Sequence, residues 1–292
     1  MANESGELTF LEKLGSVDRR YIFLLIALAV IVPLITHYTT SIPTSVIVQT
    51  LFDKVESLPP GSKILMSFDY GPSTVPENQP MANALTRHAL EKGHRLYLMA
   101  LWPTGARQSL QLIDEIIEVE FPDKVYGDDW IHLGYKAGNQ GLINTLLSDF
   151  KAMYTTDING AAIDDFPMMR GIQTLRDFDL ILGLGSGFPG TKEWVQFAGD
   201  PGDIPVGGGT TAVMAPLLYP YYPKQMVGFM GGLQGAAEYE YALSHKYDKY
   251  METSRIASTS MGPQVTAHLV IVAFIVIGNI TYLAERRRQR KY

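Results

Sequence analysis

The chain contains no cysteine, and its histidines are few and scattered. The lack of cysteine excludes disulfide bonds, thiolate metal sites and cysteine nucleophiles. The six histidines include no pair spaced four residues apart, so no local zinc motif is present. Stability must therefore come from packing, and the sequence predicts neither a metal site nor a cofactor.

The common nucleotide-binding and hydrolase motifs are missing or incomplete. There is no Gly-Lys-Ser/Thr phosphate loop, and the residues around Ser186 do not fit G-x-S-x-G. The segment Gly185–Gly190 is a literal G-x-G-x-x-G, but it follows a late strand, and Pro189 removes a backbone donor. We interpret it as a tight turn from strand to helix, with an anion site as the alternative; nucleotide binding is disfavoured.

Charge is unevenly distributed along the chain. The formal net charge is −6, of which residues 1–20 carry −1 and residues 284–292 carry +4, so the stretch between them carries −9. An acidic domain of this kind is a poor nucleic-acid binder, so we expect no nucleic-acid partner. The basic C-terminal tail suits anionic lipid headgroups, although it is explained equally well as a topology anchor.

Two apolar runs near the ends predict membrane anchors, at 21–38 and 263–284. The first would reach roughly 27 Å at ~1.5 Å per residue, close to the ~30 Å hydrocarbon core. The leader at 1–20 is acidic and no small-residue cleavage site follows the run, so we predict an uncleaved anchor. Membrane lipids are therefore expected partners.

Basic residues set the predicted topology. Arg19 and Arg20 precede the first run, and the tail at 285–292 holds five basic residues. The positive-inside rule then places both termini in the cytoplasm and the domain at 39–262 outside it. In the second run, His268 and Asn279 need partners, either at the interface or on another transmembrane helix.

Between the anchors, short apolar runs alternate with helical patterns. After a connecting helix that Thr44 is expected to cap, buried strands are predicted at 63–70, 95–102 and 180–184, with others near 130 and 206. A long final helix is expected to begin near Met226. The prediction is an α/β fold with a doubly wound, mostly parallel, Rossmann-like sheet of five or six strands.

Open parallel sheets bind ligands at the carboxyl ends of their strands, which defines the candidate site residues. They come from loops predicted to follow the strands, and they include acidic, hydroxyl and aromatic side chains and glycines. The candidates are Asp69, Ser73, Thr74, Glu77, Trp102, Thr104, Gly185, Ser186, Gly187 and Thr210. Asp69 is expected to bind ligand hydroxyls or act as a base. The alternative is structural: Ser73 and Thr74 close the loop and cap the next helix.

A tyrosine- and proline-rich segment at 216–223 precedes a glycine- and alanine-rich stretch from Gly228 to Ala237. Glycines are costly inside a helix, at ~1 kcal/mol each, unless something packs closely there. Packing onto the sheet and packing onto a neighbouring subunit both fit this pattern.

Three functions follow as hypotheses. The first is a membrane-anchored assembly subunit that forms a homo-oligomer or joins other membrane subunits. The second is a module that binds a small ligand or anion outside the cytoplasm. The third is a hydrolase-type enzyme that uses Asp69, Glu77 or Ser186.

Overall fold

The computed structural model describes residues 18–36, 42–253 and 256–289. The chain divides into two compact units, one of Met1–Thr40 with Thr259–Tyr292 and one of Ser41–Ser258. The second unit holds the whole sheet and is called the domain below.

The domain is built on a six-stranded sheet in which all neighbouring strands are parallel. The strands are β1 (Lys63–Asp69), β2 (Arg95–Ala100), β3 (Trp130–Tyr135), β4 (Leu180–Gly185), β5 (Val206–Thr210) and β6 (Gly228–Gly231). Their order across the sheet is β3-β2-β1-β4-β5-β6. This is the Rossmann-like doubly wound order, so the predicted α/β class is confirmed, with six strands.

The strands are apolar because both faces of the sheet are covered. Ile131, Tyr97, Leu65, Ile181 and Val206 lie in one row across five strands, and all belong to one buried core cluster. Burying an aliphatic or aromatic side chain contributes about 1.5–3 kcal/mol. This row therefore ties the two halves of the sheet together.

The described helices belong to both units, and those of the domain flank the sheet. They are α1 (Arg19–Ile35), α2 (Val46–Ser57), α3 (Val75–Glu91), α4 (Pro103–Leu112), α5 (Gln140–Ser148), α6 (Thr191–Trp194), α7 (Gly232–Lys246), α8 (Tyr250–Thr253) and α9 (Ile256–Gln289). Two of them, α4 and α6, run on through π-helical turns at Ile113–Ile117 and Val195–Gly199. Short helical segments at Glu118–Glu120 and Asp200–Gly202 follow these turns.

The expectation of one helix from Met226 onward is wrong, because β6 comes first. Gly228 has φ +155, and a Cβ there would lie 2.4 Å from the carbonyl oxygen of Ile47 in α2. The glycine thus lets α2 pack directly on this last strand. The first part of the glycine-rich stretch therefore forms a strand that contacts α2, and it does not form the face of a helix.

Helix α9, most of which belongs to the other unit, is the one described helix that is long and apolar enough to cross a membrane, over Ile256–Ala284. The predicted N-terminal span is not shown: α1 has 17 residues and ends at Ile35, which gives about 25 Å at ~1.5 Å per residue. Residues 37 and 38 of that predicted span lie outside the described residues.

Polar side chains in α9 find backbone partners. The hydroxyl of Thr266 donates to the carbonyl of Ala29 in α1, so the two helices are in contact within this unit. The Asn279 amide donates to the Ile275 carbonyl of its own helix at 2.9 Å. Asn279 thus has a partner that neither sequence alternative considered.

Candidate functional site

The carboxyl ends of four strands form one row, as the sequence argument requires. Asp69 of β1 pairs in register with Gly185 of β4, which pairs with Thr210 of β5, which pairs with Gly231 of β6. The strand order reverses between β1 and β4, so a ligand crevice is expected beside Asp69 and Gly185.

Asp69 lies at this reversal point but faces the interior. It is fully buried, and its carboxyl group accepts hydrogen bonds from the backbone N–H of Leu101 at 2.8 Å and from Nε1 of Trp194 at 2.9 Å. The Ser67 hydroxyl lies 2.8 and 2.9 Å from its two oxygens. Asp69 therefore joins β1 to the end of β2 and to α6, and its role as a ligand-binding group or base stays a prediction.

Burial raises the pKa of Asp69 to about 7, and the nearby carboxylate of Glu193 adds to the rise. The hydrogen bonds from Leu101, Trp194 and Ser67 oppose it. The largest effect is loss of hydration of the charged form, which outweighs these donors.

Trp102 closes the expected crevice. Its Nε1 donates to the carbonyl of Pro189 at 2.8 Å, across from the loop after β2 to the loop after β4. A Cβ on Gly187 would lie 3.0 Å from the indole, and one on Gly71 would lie 4.0 Å from it. The indole thus packs against the loops that follow both β1 and β4.

Two backbone N–H groups of the glycine loop after β4 bond within the protein, which disfavours a phosphate site there. The Ser186 N–H donates to the carbonyl of Asp69 at 3.1 Å, and the Gly190 N–H donates to Oε2 of Glu193 at 2.8 Å. Pro189 has no N–H, and the buried Glu193 carboxylate at the end of the loop would repel a phosphate. The interpretation as a tight turn fits this geometry.

The remaining candidates make local contacts. Thr210 donates to the Gly185 carbonyl at 2.7 Å, Thr104 to the Tyr70 carbonyl and Thr74 to the Gly71 carbonyl, both at 3.2 Å. Neither Ser73 nor Thr74 caps α3 through its side chain. Ser73 is exposed, so the ten candidates do not converge on one open site.

Glu77 is placed differently, beside the start of α7. Its Oε2 accepts a hydrogen bond from the Ala212 N–H at 2.8 Å. A Cβ on Gly232, the first residue of α7, would lie 3.1 Å from the same oxygen. A carboxylate at a helix N-terminus is favourable there, because the helix dipole is positive at that end.

An open cavity of about 210 Å³ lies at the carboxyl end of β6, between the first turns of α2 and α7. Polar groups, glycines and aromatic rings all contribute to its wall. It is lined by Ser45, Ile47, Val48, Tyr219, Phe229, Gly231, Gln234, Gly235 and Glu238. We call it the β6 cavity.

The Glu238 carboxylate is the charged group of the β6 cavity. The residue is 4% exposed, and its Oε2 accepts hydrogen bonds from the N–H of Ser45, at 3.0 Å, and from the Ser45 hydroxyl. Its Oε1 accepts from Nε2 of Gln234 at 2.9 Å. Glu238 thus caps α2, which corrects the expectation of Thr44: the Thr44 hydroxyl donates instead to the Glu238 carbonyl, at 3.2 Å.

Two aromatic rings form another part of the wall. Tyr219 and Phe229 meet at 5.2 Å between centroids in an edge-to-face arrangement, and Tyr219 is 55% exposed. Tyr219 comes from the tyrosine- and proline-rich segment, which folds into short 3₁₀ turns at Ala215–Leu217 and Tyr219–Tyr221. The rim of the cavity is therefore aromatic and accessible.

Sequence reasoning missed this cavity because it assigned β6 to a helix. With a strand at Gly228–Gly231, the same strand-end rule would have pointed to the turn at Gly231 and Gly232. The signal was the glycine pair directly before an amphipathic helix. Glu238 carries no motif that marks it.

A Ser–His pair elsewhere in the domain is structural. Nε2 of His132 lies 2.6 Å from the Ser109 hydroxyl, while Nδ1 accepts the Gly134 N–H at 3.1 Å. That contact assigns the ring proton to Nε2, so Ser109 accepts from His132 and donates to the Ala106 carbonyl at 2.8 Å. A nucleophilic serine needs the opposite arrangement.

A second buried histidine joins three helices. His88 lies 2.9 Å from Glu56 and 2.7 Å from the Tyr239 hydroxyl. Burial lowers the pKa of His88 to about 4, against the effect of Glu56. Burial alone would raise the pKa of Glu56, but hydrogen bonds from His88 and Tyr247 outweigh it and lower that pKa to about 2. A neutral histidine between α2, α3 and α7 is a packing element.

Within the described part of the chain, no group of three acidic or histidine side chains is placed to hold a metal ion. Of the arrangements described above, the β6 cavity, with the buried Glu238 carboxylate in its wall, is taken as the candidate site. Comparison with known proteins adds no relative: no family model, no curated protein and no solved structure matches the chain.

Proposed function

We propose that the chain is a membrane-anchored α/β domain that binds a small ligand in the β6 cavity. The observation that carries the proposal is a buried carboxylate, Glu238, in the wall of a cavity at the carboxyl end of a parallel sheet. The cavity lies at the edge strand and not at the reversal point, so its support is its lining: a few placed polar groups in a partly apolar cavity are typical of small-molecule sites.

Binding fits the β6 cavity better than catalysis. Its titratable wall residues are Glu238 and Tyr219, and both oxygens of Glu238 already accept hydrogen bonds from neighbouring residues. The Ser45 hydroxyl does donate to Glu238, but the Ser45 N–H donates to the same oxygen at the start of α2, so we assign this contact to helix capping rather than to a nucleophile with its base.

A thermal-shift screen of the full chain in mild detergent tests this proposal. Amines, carboxylates, sugars and nucleosides are compared on wild type, Gln234→Trp and Gln111→Trp. Gln111→Trp is the matched control. Gln234 donates to Glu238, four residues later, at 2.9 Å, and Gln111 likewise donates to Glu115, four residues later, at 2.8 Å, but Gln111 lies on α4, outside the cavity wall.

Tryptophan at Gln234 fills the mouth of the cavity, so stabilisation by a ligand should disappear there and persist in Gln111→Trp. If no compound of any class shows this difference between the two variants, the β6 cavity is not a binding site.

We also propose that the chain crosses the membrane twice, through α9 and through the N-terminal run at 21–38. Both termini would then lie in the cytoplasm and the domain outside it. Length and composition support α9, and the basic residues beside the runs support the orientation. Because the chain has no cysteine, each introduced cysteine is a unique reporter. Impermeant maleimide on intact cells should label Ser73→Cys and spare Ser5→Cys; the reverse pattern would refute the topology.

Assembly is the second candidate function, and exposed apolar residues in the segment before β6 favour it. Val213 is 84% exposed, and Leu217 and Tyr219 are exposed nearby. Monomer surfaces seldom group such side chains without a partner, and we propose a second copy or another membrane subunit. Particle mass in mild detergent should fall to the monomer in Val213→Glu and not in Val119→Glu, which is 69% exposed on the segment after α4. A monomeric wild type would exclude this function.

A further inference from the structure

We propose that the ligand of the β6 cavity is a small organic ammonium cation. This inference rests on the proposed binding function and names its ligand class. It follows from the charge, the hydrogen-bonding capacity, the aromatic wall and the size of the cavity.

Charge is the first argument. Glu238 carries a carboxylate that is 4% exposed, and the groups bonded to it, Ser45 and Gln234, are neutral. Of the described residues that line the cavity, none is lysine or arginine. The positive end of α2 faces Glu238 and that of α7 has Glu77 beside its first residue, so neither helix start is left free for an anion. A cation is the ligand charge that this wall accepts.

Hydrogen-bonding capacity is the second argument. A carboxylate only accepts, so the Ser45 hydroxyl and one Gln234 N–H are used as donors to Glu238. The atoms with remaining capacity are mainly acceptors: Oε1 of Gln234, the second lone pair of the Ser45 oxygen and the carboxylate itself. A ligand that supplies donors or positive charge complements them.

The aromatic wall is the third argument. Tyr219 and Phe229 lie edge to face at 5.2 Å, and both line the cavity that contains Glu238. Aromatic faces attract ammonium groups through the negative charge above the ring, and the attraction grows as water is excluded. A carboxylate and two rings around one cavity suit an alkylated ammonium better than a hydrated metal ion.

Size limits the ligand. The open cavity, of about 210 Å³, has room for a small organic molecule.

Titration of the full chain in mild detergent with choline chloride tests the inference. Choline is a small alkylated ammonium cation, and 3,3-dimethyl-1-butanol has the same shape without the charge. We expect saturable choline binding, with the neutral alcohol at least about tenfold weaker and sodium acetate not bound at the cavity. Glu238→Gln keeps an acceptor for Ser45 and should weaken choline at least about tenfold. Glu240→Gln is the matched control, a buried glutamate outside the cavity wall, and should change the Kd less than about twofold.

A second pair of variants keeps the test decisive if Glu238→Gln does not fold. Tyr219 is exposed, so Tyr219→Leu should fold and lose several-fold in choline affinity, whereas Tyr219→Phe keeps the ring and the affinity. Equal binding of the neutral alcohol, preference for acetate, or choline binding indifferent to both Tyr219→Leu and Gln234→Trp would overturn the ammonium assignment. If the neutral alcohol or acetate binds instead and Gln234→Trp abolishes that binding, the cavity is still a binding site and only the ammonium assignment fails. If Gln234→Trp abolishes the binding of no compound, both proposals fail.

Discussion

Asp69 allows the sharpest test of the fold at its reversal point. Replacing it with asparagine keeps one oxygen for the Leu101 N–H but turns an N–H₂ group toward Nε1 of Trp194, which then has no acceptor. An unsatisfied buried donor costs about 1–3 kcal/mol. Asp69→Ala leaves both donors unpaired and should cost about twice as much, a large part of the ~5–15 kcal/mol that stabilises a typical domain.

The pH dependence of the Asp69→Asn effect has a definite sign. The pKa of Asp69 rises from 3.8 in the unfolded chain to about 7 in the folded domain, so the folded state keeps a proton that the unfolded state has released. The free energy of unfolding therefore falls as pH rises from about 4 to about 7, by at most ~1.4 kcal/mol per pH unit. Asparagine does not titrate, so this contribution is absent in the variant.

Denaturant unfolding of the full chain in detergent, followed by tryptophan fluorescence between pH 4.5 and 8, measures both effects. Asp69→Asn should be less stable than wild type at pH 5, and the difference should shrink or reverse by pH 8. Asp123→Asn, at an exposed position, should match wild type throughout. A difference between wild type and Asp69→Asn that stays constant with pH would refute the raised pKa, and no difference would refute the buried hydrogen bonds.

Three further outcomes are expected. Gly208→Ala should lower the free energy of unfolding by about 3 kcal/mol or more, because Gly208 has φ +140 and a Cβ there would lie 1.9 Å from a carbonyl oxygen of β4. Gly141→Ala, in open space on α5, should raise the free energy of unfolding by up to about 1 kcal/mol in the same denaturant assay. Trp102→Ala should cost about 3 kcal/mol and leave a void between the loops after β1 and β4, seen as a lower Tm. Glu240→Ala should speed hydrogen exchange at the Ala257 amide severalfold, because the Glu240 carboxylate accepts a hydrogen bond from that N–H at 3.0 Å. Glu240→Gln keeps an acceptor oxygen, so its exchange rate at Ala257 should rise less.

The sequence predicts the central strands because local and tertiary signals agree there. The runs Lys63–Asp69 and Leu180–Gly185 are mostly apolar, end at turn residues and are buried on both faces. The last strand, Gly228–Gly231, could not be predicted in the same way. Two of its four residues are glycine, and it exists because it pairs with β5 and because α2 packs directly on it.

The candidate site shows the same division between local and long-range information. The strand-end rule places Asp69 and Gly185 in one row, which the register shows. It cannot tell which way Asp69 points, since a strand end can face the core or the solvent. Nor can it show that Trp102, some thirty residues later in the chain, packs over the crevice. Both depend on tertiary packing.

Helix α7 connects the proposed binding site to both chain segments that lead out of the domain. Glu238 and Glu240 are two residues apart, so at 3.6 residues per turn they face roughly opposite sides of the helix. Glu238 accepts the N–H of Ser45, the residue just before α2, and Glu240 accepts the Ala257 and Ser258 N–H groups at the start of α9. A cation in the β6 cavity would therefore contact the same carboxylate that accepts the N–H at the start of α2. We therefore expect a bound ligand to change the environment of the Ser45 amide, because the Ser45 N–H donates to the same carboxylate.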